Sequence, residues 1–238
     1  MNFEVVMANI IDVEADAIVL PANENLVMGS GASKAIFDAA GSIKLKKACQ
    51  EIGHCDMGSA VPTPAFDMNA KYIIHAVVPR WQDGNNNEYG MLSSAYLTAL
   101  RLADIMHCKS IAFPLLSSGN NGFDRRLAFK IATKSISSFE GTNLEKVVLV
   151  VFGKNMECFV RSLSYDVASI EKVKNQIKIV PDKVLKVVEN GLKAAGDWLK
   201  DKENQKKLFE LGINIASIVV PKNTIIANVI KTLKNESK

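Results

Sequence analysis

Residues 15–41 read ADAIVLPANENLVMGSGASKAIFDAAG, and this stretch decides the fold. From Ala15 to Ala22 it is almost continuously apolar, which suits a strand covered on both faces of a sheet. Asn23, Asn25 and the run Gly29-Ser30-Gly31 then lead into a segment where Ala32, Ala35, Ile36 and Ala39 recur at helical spacing. A strand that runs through a glycine-rich turn into a helix presents bare backbone at the helix start. Free N–H groups and the positive end of the helix dipole point outward there, and phosphate is their natural guest. One such turn proves little, because glycine-rich turns often only reverse the chain.

The flanking sequence repeats the alternation. Strands are expected at 3–8, 72–79, 110–116 and 146–152, and helices at 31–52, 91–107 and 125–140. Strand and helix in turn indicate an α/β fold, three layers deep in α-β-α order, around a mainly parallel sheet. Ligands of such sheets sit beyond the C-terminal ends of the strands. There a second polar, glycine-rich turn appears: Ser117, Ser118, Gly119, Asn120, Asn121 and Gly122 follow the strand SIAFPLL and precede a helix. Two turns of this kind predict a diphosphate held between them. The chain has no GxxxxGK[ST], and no GxGxxG closing a first βαβ unit, which disfavours a P-loop nucleotidase and a classical dinucleotide fold.

The totals narrow the classes further. With 238 residues, 48% of them hydrophobic, the chain can bury a sizeable core, and a net charge of +4 is not in itself a nucleic-acid signature. Cys49, Cys55, Cys108 and Cys158, with His54, His75 and His107, make no zinc spacing, so neither a metal nor another cofactor is expected. Scattered thiols suit a reducing, cytoplasmic setting. MNFEVVMANI lacks a basic segment followed by a long apolar one, so no secretory signal is expected. The late stretch LGINIASIVVPKNTIIANVI is interrupted by Pro221 and Lys222, and no membrane span is expected. Composition shifts near residue 165: 14 Lys stand against 9 acids in 166–238, a charge of +5 that leaves −1 for the rest. Residues 1–165 are therefore read as one domain and 166–238 as a lysine-rich helical region, with a helix start at Pro181 and a stop at Gly212.

Taken together and in order, these segments resemble a macrodomain, the ADP-ribose-binding module, over residues 1–163. ADAIVLPANENLVMGSGASKAIFDAAG is similar to the family's strand, Asn-Ala-Ala-Asn stretch, glycine-rich loop and helix. GSAVPTPAF with KYIIHAVVPRW, SIAFPLLSSGNNGF and VVLVVFGKNMECF resemble its later segments. The resemblance implies a ligand, ADP-ribose or an ADP-ribosylated macromolecule, and no metal. It implies that Gly29, Ser30, Gly31, Ala32 and Ser33 bind the diphosphate through backbone N–H groups. Ser117, Ser118, Gly119, Asn120, Asn121, Gly122 and Phe123 would wrap the phosphates and the distal ribose. Ala22 and Asn23 fall at the ribose end, where the Asn23 amide can both donate and accept and is the one candidate catalytic residue. Asn9 and Ile10 fall at the adenine end, as does Phe152, for which core packing is the competing reading. His75 matches a strand-end histidine of the family, with simple packing again the alternative.

Departures from the family pattern bear on reactivity. Asn9 stands where an aspartate is usual, and Leu20 where the first asparagine is. Met28 replaces a histidine found in one branch, and Ser33 an aspartate that in another helps activate water; a serine is no base at neutral pH. Three functions remain open from sequence: hydrolysis of an ADP-ribosyl bond or deacetylation of O-acetyl-ADP-ribose, non-catalytic reading of the same group, and an adaptor whose tail binds protein or nucleic acid.

Overall fold

The computed structural model describes residues 1–153 together with Phe159. The expected helical region 166–238, with Pro181 and Gly212, and Cys158 lie outside the described residues. Six strands, β1 (Asn2–Met7), β2 (Ala17–Ala22), β3 (Ala60–Pro64), β4 (Tyr72–Val77), β5 (Ser110–Pro114) and β6 (Lys146–Val151), form one sheet in the order β1-β6-β5-β2-β4-β3. Every neighbouring pair is parallel except β3 with β4. The helices are α1 (Ala32–Ala39), α2 (Ser42–Ile52), α3 (Glu88–Ile105) and α4 (Arg125–Ser137), with a short 3-10 turn at Ile10–Asp12.

The alternation of side chains along each strand produces the three layers. Ala17, Val19, Ile74, Ile111, Phe113, Val147 and Leu149 face one way and join Leu92, Tyr96, Leu100, Ala128 and Ala132 of α3 and α4. Ile18, Leu20, Ile73, Val77, Ala112, Val148 and Val150 face the other way, against Ile36 and Phe37 of α1 and Leu45 and Cys49 of α2. Both faces are covered, which is why these strands read as unbroken apolar runs.

Two details depart from the sequence reading. The helix expected over 31–52 is two helices broken at Gly41, whose φ of 83° lies in the left-handed region. That backbone conformation favours glycine, and a Cβ there would also meet the Asp67 carboxylate at 2.5 Å, an exposed group that would have to move. The segment AVPTP, left without an element in the sequence, is β3. It carries two prolines in five residues, which an edge strand tolerates because its outward N–H groups have no partner to lose.

His75 sits on β4 with no exposed surface. Its Nε2 lies 3.0 Å from Thr63 Oγ1 and its Nδ1 3.9 Å from Cys49 Sγ. Burial pushes its pKa down to about 3, so it is a neutral core histidine. Burial also pushes the thiols of Cys49, Cys55 and Cys108 up to about 12, which keeps them protonated. Among the described residues no helix is long and apolar enough to cross a membrane.

Candidate functional site

The sheet locates the site before any side chain is considered. From β2 the chain moves to β4 on one side, and from β5 to β6 on the other, so the crossovers part between β2 and β5. That is the topological switch point at which open α/β sheets form a crevice. Here the crevice is cut into the sheet itself. β2 pairs with β4 along all six residues, from Ala17 to Ala22, but with β5 only at Ala17–Ile111 and Ile18–Ala112. Beyond Ile18 the two strands separate, and their C-terminal ends stand apart.

All the sequence-predicted site residues lie at the C-terminal ends of four adjacent parallel strands. Asn9 and Ile10 follow β1, Phe152 follows β6, Ser117–Phe123 follow β5, and Ala22–Ser33 run from the last residue of β2 into α1. The walls of the gap between β2 and β5 are the two glycine-rich loops.

The first wall is pre-shaped. Asn23 closes its loop on itself: its Nδ2 donates to the Val27 carbonyl at 2.8 Å and its Oδ1 accepts from the Val27 N–H at 3.2 Å. The amide keeps one further donor and one further acceptor for a ligand, and the residue is exposed. Leu26 is buried beneath the loop at a φ of 54°, an uncommon conformation for leucine that marks a constrained turn. Gly31, with φ 59° and ψ −128°, precedes α1 and provides no side-chain cap. The first-turn N–H groups of Ala32, Ser33 and Lys34 therefore have no intrahelical acceptor. A Cβ on Gly31 would meet nothing within 4 Å, so the space above it is open. Ser33 is buried, and its hydroxyl accepts the Gly29 N–H at 3.0 Å. The side chain that stands in place of an aspartate thus holds the loop.

The second wall differs from the sequence expectation in one respect. The helix after it, α4, is closed by its own cap: Asp124 Oδ1 accepts from the Arg126 and Leu127 N–H groups at 3.0 and 3.1 Å. The donors of this wall are instead those of the turn itself. Gly122 N–H bonds Gly119 carbonyl and Phe123 N–H bonds Ser117 carbonyl, while Ser117 Oγ donates to the Pro79 carbonyl at 2.9 Å. Ser118 Oγ donates to the Leu115 carbonyl at 2.7 Å. Gly119 stands exposed with nothing within 4 Å of a Cβ position. The walls meet at their tips, where exposed Asn120 Nδ2 donates to Ser30 Oγ at 2.6 Å.

The brace behind the second wall was missed in the sequence. The Trp81 N–H donates to the Asn121 carbonyl at 2.7 Å, and its ring packs edge-on against Phe123, with centroids 5.1 Å apart, and Tyr89, at 5.5 Å. Phe123 is itself buried, so its ring supports the loop more than it offers a face. Glu88, buried at the start of α3, gathers the N–H groups of Gln82, Asp83, Gly84 and Asn86 and so orders the turn that carries Trp81. Burial opposes its charge, but its own N–H and those of Gly84, Asn86 and Asp83 outweigh burial and hold its carboxyl below the usual carboxylate range. The Trp81 signal was present in the VVPRW segment; Glu88 had none.

At the far end, Phe152 is 72% exposed, a ring with a free face just beyond β6. Asn9 precedes the 3-10 turn, its side chain making no capping bond there. Ile10 is buried in the core and presents no side chain to a ligand. His75, buried within the sheet, is no part of this surface.

Comparison with known proteins matches residues 19–132 to the Macro domain family model. A macro domain-containing protein of Caldanaerobacter subterraneus is 42% identical over 155 residues, 63% of this chain and 89% of that protein. A protein of Escherichia fergusonii named O-acetyl-ADP-ribose deacetylase is 43% identical over 142 residues, 58% of this chain and 80% of that one. Among solved structures, a variant of the Oceanobacillus iheyensis macrodomain with ADPR superposes with a TM-score of 0.64 at 30% identity, covering 70% of this chain and 94% of the other.

Proposed function

The chain belongs to the macrodomain family, and on that premise we propose that it binds ADP-ribose, free or attached to a macromolecule, in the crevice between β2 and β5. The observation that carries this reading is the parting of those strands beneath an uncapped helix start. The diphosphate lies against the backbone N–H groups of Ser30 to Ser33 on one side and of Gly119 to Asn121 on the other, as helix termini and donor-rich turns receive anions. Adenine lies toward Phe152 and Asn9, with the ring of Phe152 stacking on the base. Asn9 accepts from adenine without a charge, a weaker bond than an aspartate would make. The distal ribose lies toward Ala22 and Asn23.

Turnover is the second part of the reading, as release of ADP-ribose from a modified group or deacetylation of O-acetyl-ADP-ribose. It draws support from the deacetylase name of a relative at 43% identity. Ser33 does not act as base in it, because its hydroxyl is buried and bonded to Gly29. Asn23 orients the ribose, a ligand phosphate oxygen helps activate water, and the second wall presses the sugar into place, so the rate comes from positioning. No metal takes part. The ligand site falls within the domain read from the sequence at residues 1–165. Inert, buried thiols suit a cytoplasmic location.

Titration calorimetry of the full chain with ADP-ribose tests the binding: heat with 1:1 stoichiometry and a thermal shift are expected, and silence at millimolar ligand would sink the reading. Incubation with O-acetyl-ADP-ribose and with mono-ADP-ribosylated protein, wild type beside Asn23→Ala, tests the turnover. Equal release by both proteins, or none by either, leaves a reader and removes the enzyme.

A further inference from the structure

The two walls of the crevice are joined at their tips, and this contact has a role that the ligand pose alone does not assign. Asn120 Nδ2 donates to Ser30 Oγ at 2.6 Å, across 90 positions of sequence. Beneath that bond β2 and β5 have already parted. A side-chain bond laid across a gap turns an open groove into a passage with a roof. Both partners are exposed, and among the described residues this is the side-chain bond that joins the two loop tips.

We propose that Ser30 and Asn120 form a clasp over the diphosphate that must open for ADP-ribose to enter or leave, and that they are therefore residence-determining residues of the site. The inference rests on the ADP-ribose reading above. The donor inventory fits the role. With Ser30 Oγ as acceptor, the serine keeps its own O–H and the Asn120 amide its second N–H, so the closed clasp still holds two donors for phosphate oxygens below it. The anchors beside the clasp are firm. Gly29 is tied to Ser33 on one side, and Gly122 to Gly119 and Asn121 to Trp81 on the other. Gly31, next to Ser30, and Gly119, next to Asn120, have open surroundings, so the clasp residues have room to swing. A linear diphosphate passes beneath such a roof, while the bulkier nucleoside and ribose at its two ends cannot slide through without the clasp releasing.

The test measures ADP-ribose association and dissociation rates on the full chain by stopped flow, for wild type, S30A and N120A. Loss of one hydrogen bond predicts dissociation faster by about three- to tenfold, and association faster as well, since the closed state no longer excludes ligand. Because both rates rise, the equilibrium affinity changes less than either, a split that a plain contact residue would not give: its loss raises the dissociation rate and leaves association alone. The double variant S30C/N120C supplies the second readout, with the new disulfide mapped by mass spectrometry. Oxidised before loading, it excludes ADP-ribose; oxidised after loading, it retains ADP-ribose through gel filtration. Rates within twofold of wild type in both single variants overturn the clasp, as does unchanged association with the cross-linked empty protein. If wild type itself binds no ADP-ribose, the functional reading fails and the clasp with it. If wild type binds and the variants are indifferent, only the clasp fails.

Discussion

Replacing His75 by Gln should remove a defined part of the acid sensitivity of this fold. The imidazole has no exposed surface, and burial pushes its pKa down to about 3, against an ordinary 6.5 in the unfolded chain. Between those two values the unfolded chain binds a proton at this position that the folded chain refuses. Stability therefore rises with pH: the contribution is whole above about pH 6.5 and is lost progressively as pH falls toward 3. At pH 5 the group lies 1.5 units below its unfolded value, and the linkage relation gives a loss of about 2 kcal/mol relative to pH 7. That figure is insensitive to the folded value so long as it stays well under 5. The assay is urea denaturation of wild type and His75→Gln at pH 7 and pH 5. Carboxylates such as Asp104 and Glu88, held low in the fold, titrate below this window and do not confuse it. Wild type should lose about 2 kcal/mol more than the variant on acidification. An equal loss in both proteins would refute the buried-neutral assignment. The variant's absolute stability at pH 7 falls for a separate reason, the loss of the Thr63 contact, and does not bear on the test.

Two further substitutions probe the walls of the crevice. Gly31→Ala meets no steric obstacle, since no atom lies within 4 Å of the added Cβ, so its cost is the backbone conformation alone, about 1–3 kcal/mol. A melting temperature within a degree of wild type would show that the turn is not held as described, and ADP-ribose affinity should fall with stability because the first turn of α1 is redirected. Asp124→Ala removes the cap of α4 and should cost about 1 kcal/mol in chemical denaturation. Affinity for ADP-ribose should stay within about threefold; a tenfold loss would mean that the start of α4, here read as closed, takes part in the site.

The fold was legible where a residue's neighbours in sequence are also its neighbours in physics. β2, β5 and β6 announced themselves as apolar runs because both of their faces are covered, and the two loops did so because glycine and asparagine cluster there for local backbone reasons. The break at Gly41 was not legible, since the helical period runs through it; what makes it is the left-handed backbone that glycine allows there, between α1 and α2. β3 was hidden by Pro62 and Pro64, which count against a strand unless its place at the sheet edge is already known. The site divides in the same way. Its backbone donors could be anticipated from composition and order. The Asn120–Ser30 bond and the hold of Trp81 on Asn121 could not, because each depends on how separate loops come together; the gathering of four N–H groups by Glu88 is local, two to six positions away, but nothing in composition or period marks it. Ser33 is the instructive case. Its identity told that an expected base was missing, and only its bond to Gly29 tells what the residue does instead.

The short ladder between β2 and β5 has a mechanical consequence. Taken as a machine part, the sheet is two panels, β1-β6-β5 and β2-β4-β3, whose strands are riveted at Ala17–Ile111 and Ile18–Ala112; above that line the panels are tied through their loops, at Trp81–Asn121, Ser117–Pro79 and Asn120–Ser30, and no longer strand to strand. Each panel carries one of the two glycine-rich loops on its inner margin. A molecule seated between them bears on both panels at the end opposite the rivets, and so adds a cross-brace where strand pairing is absent.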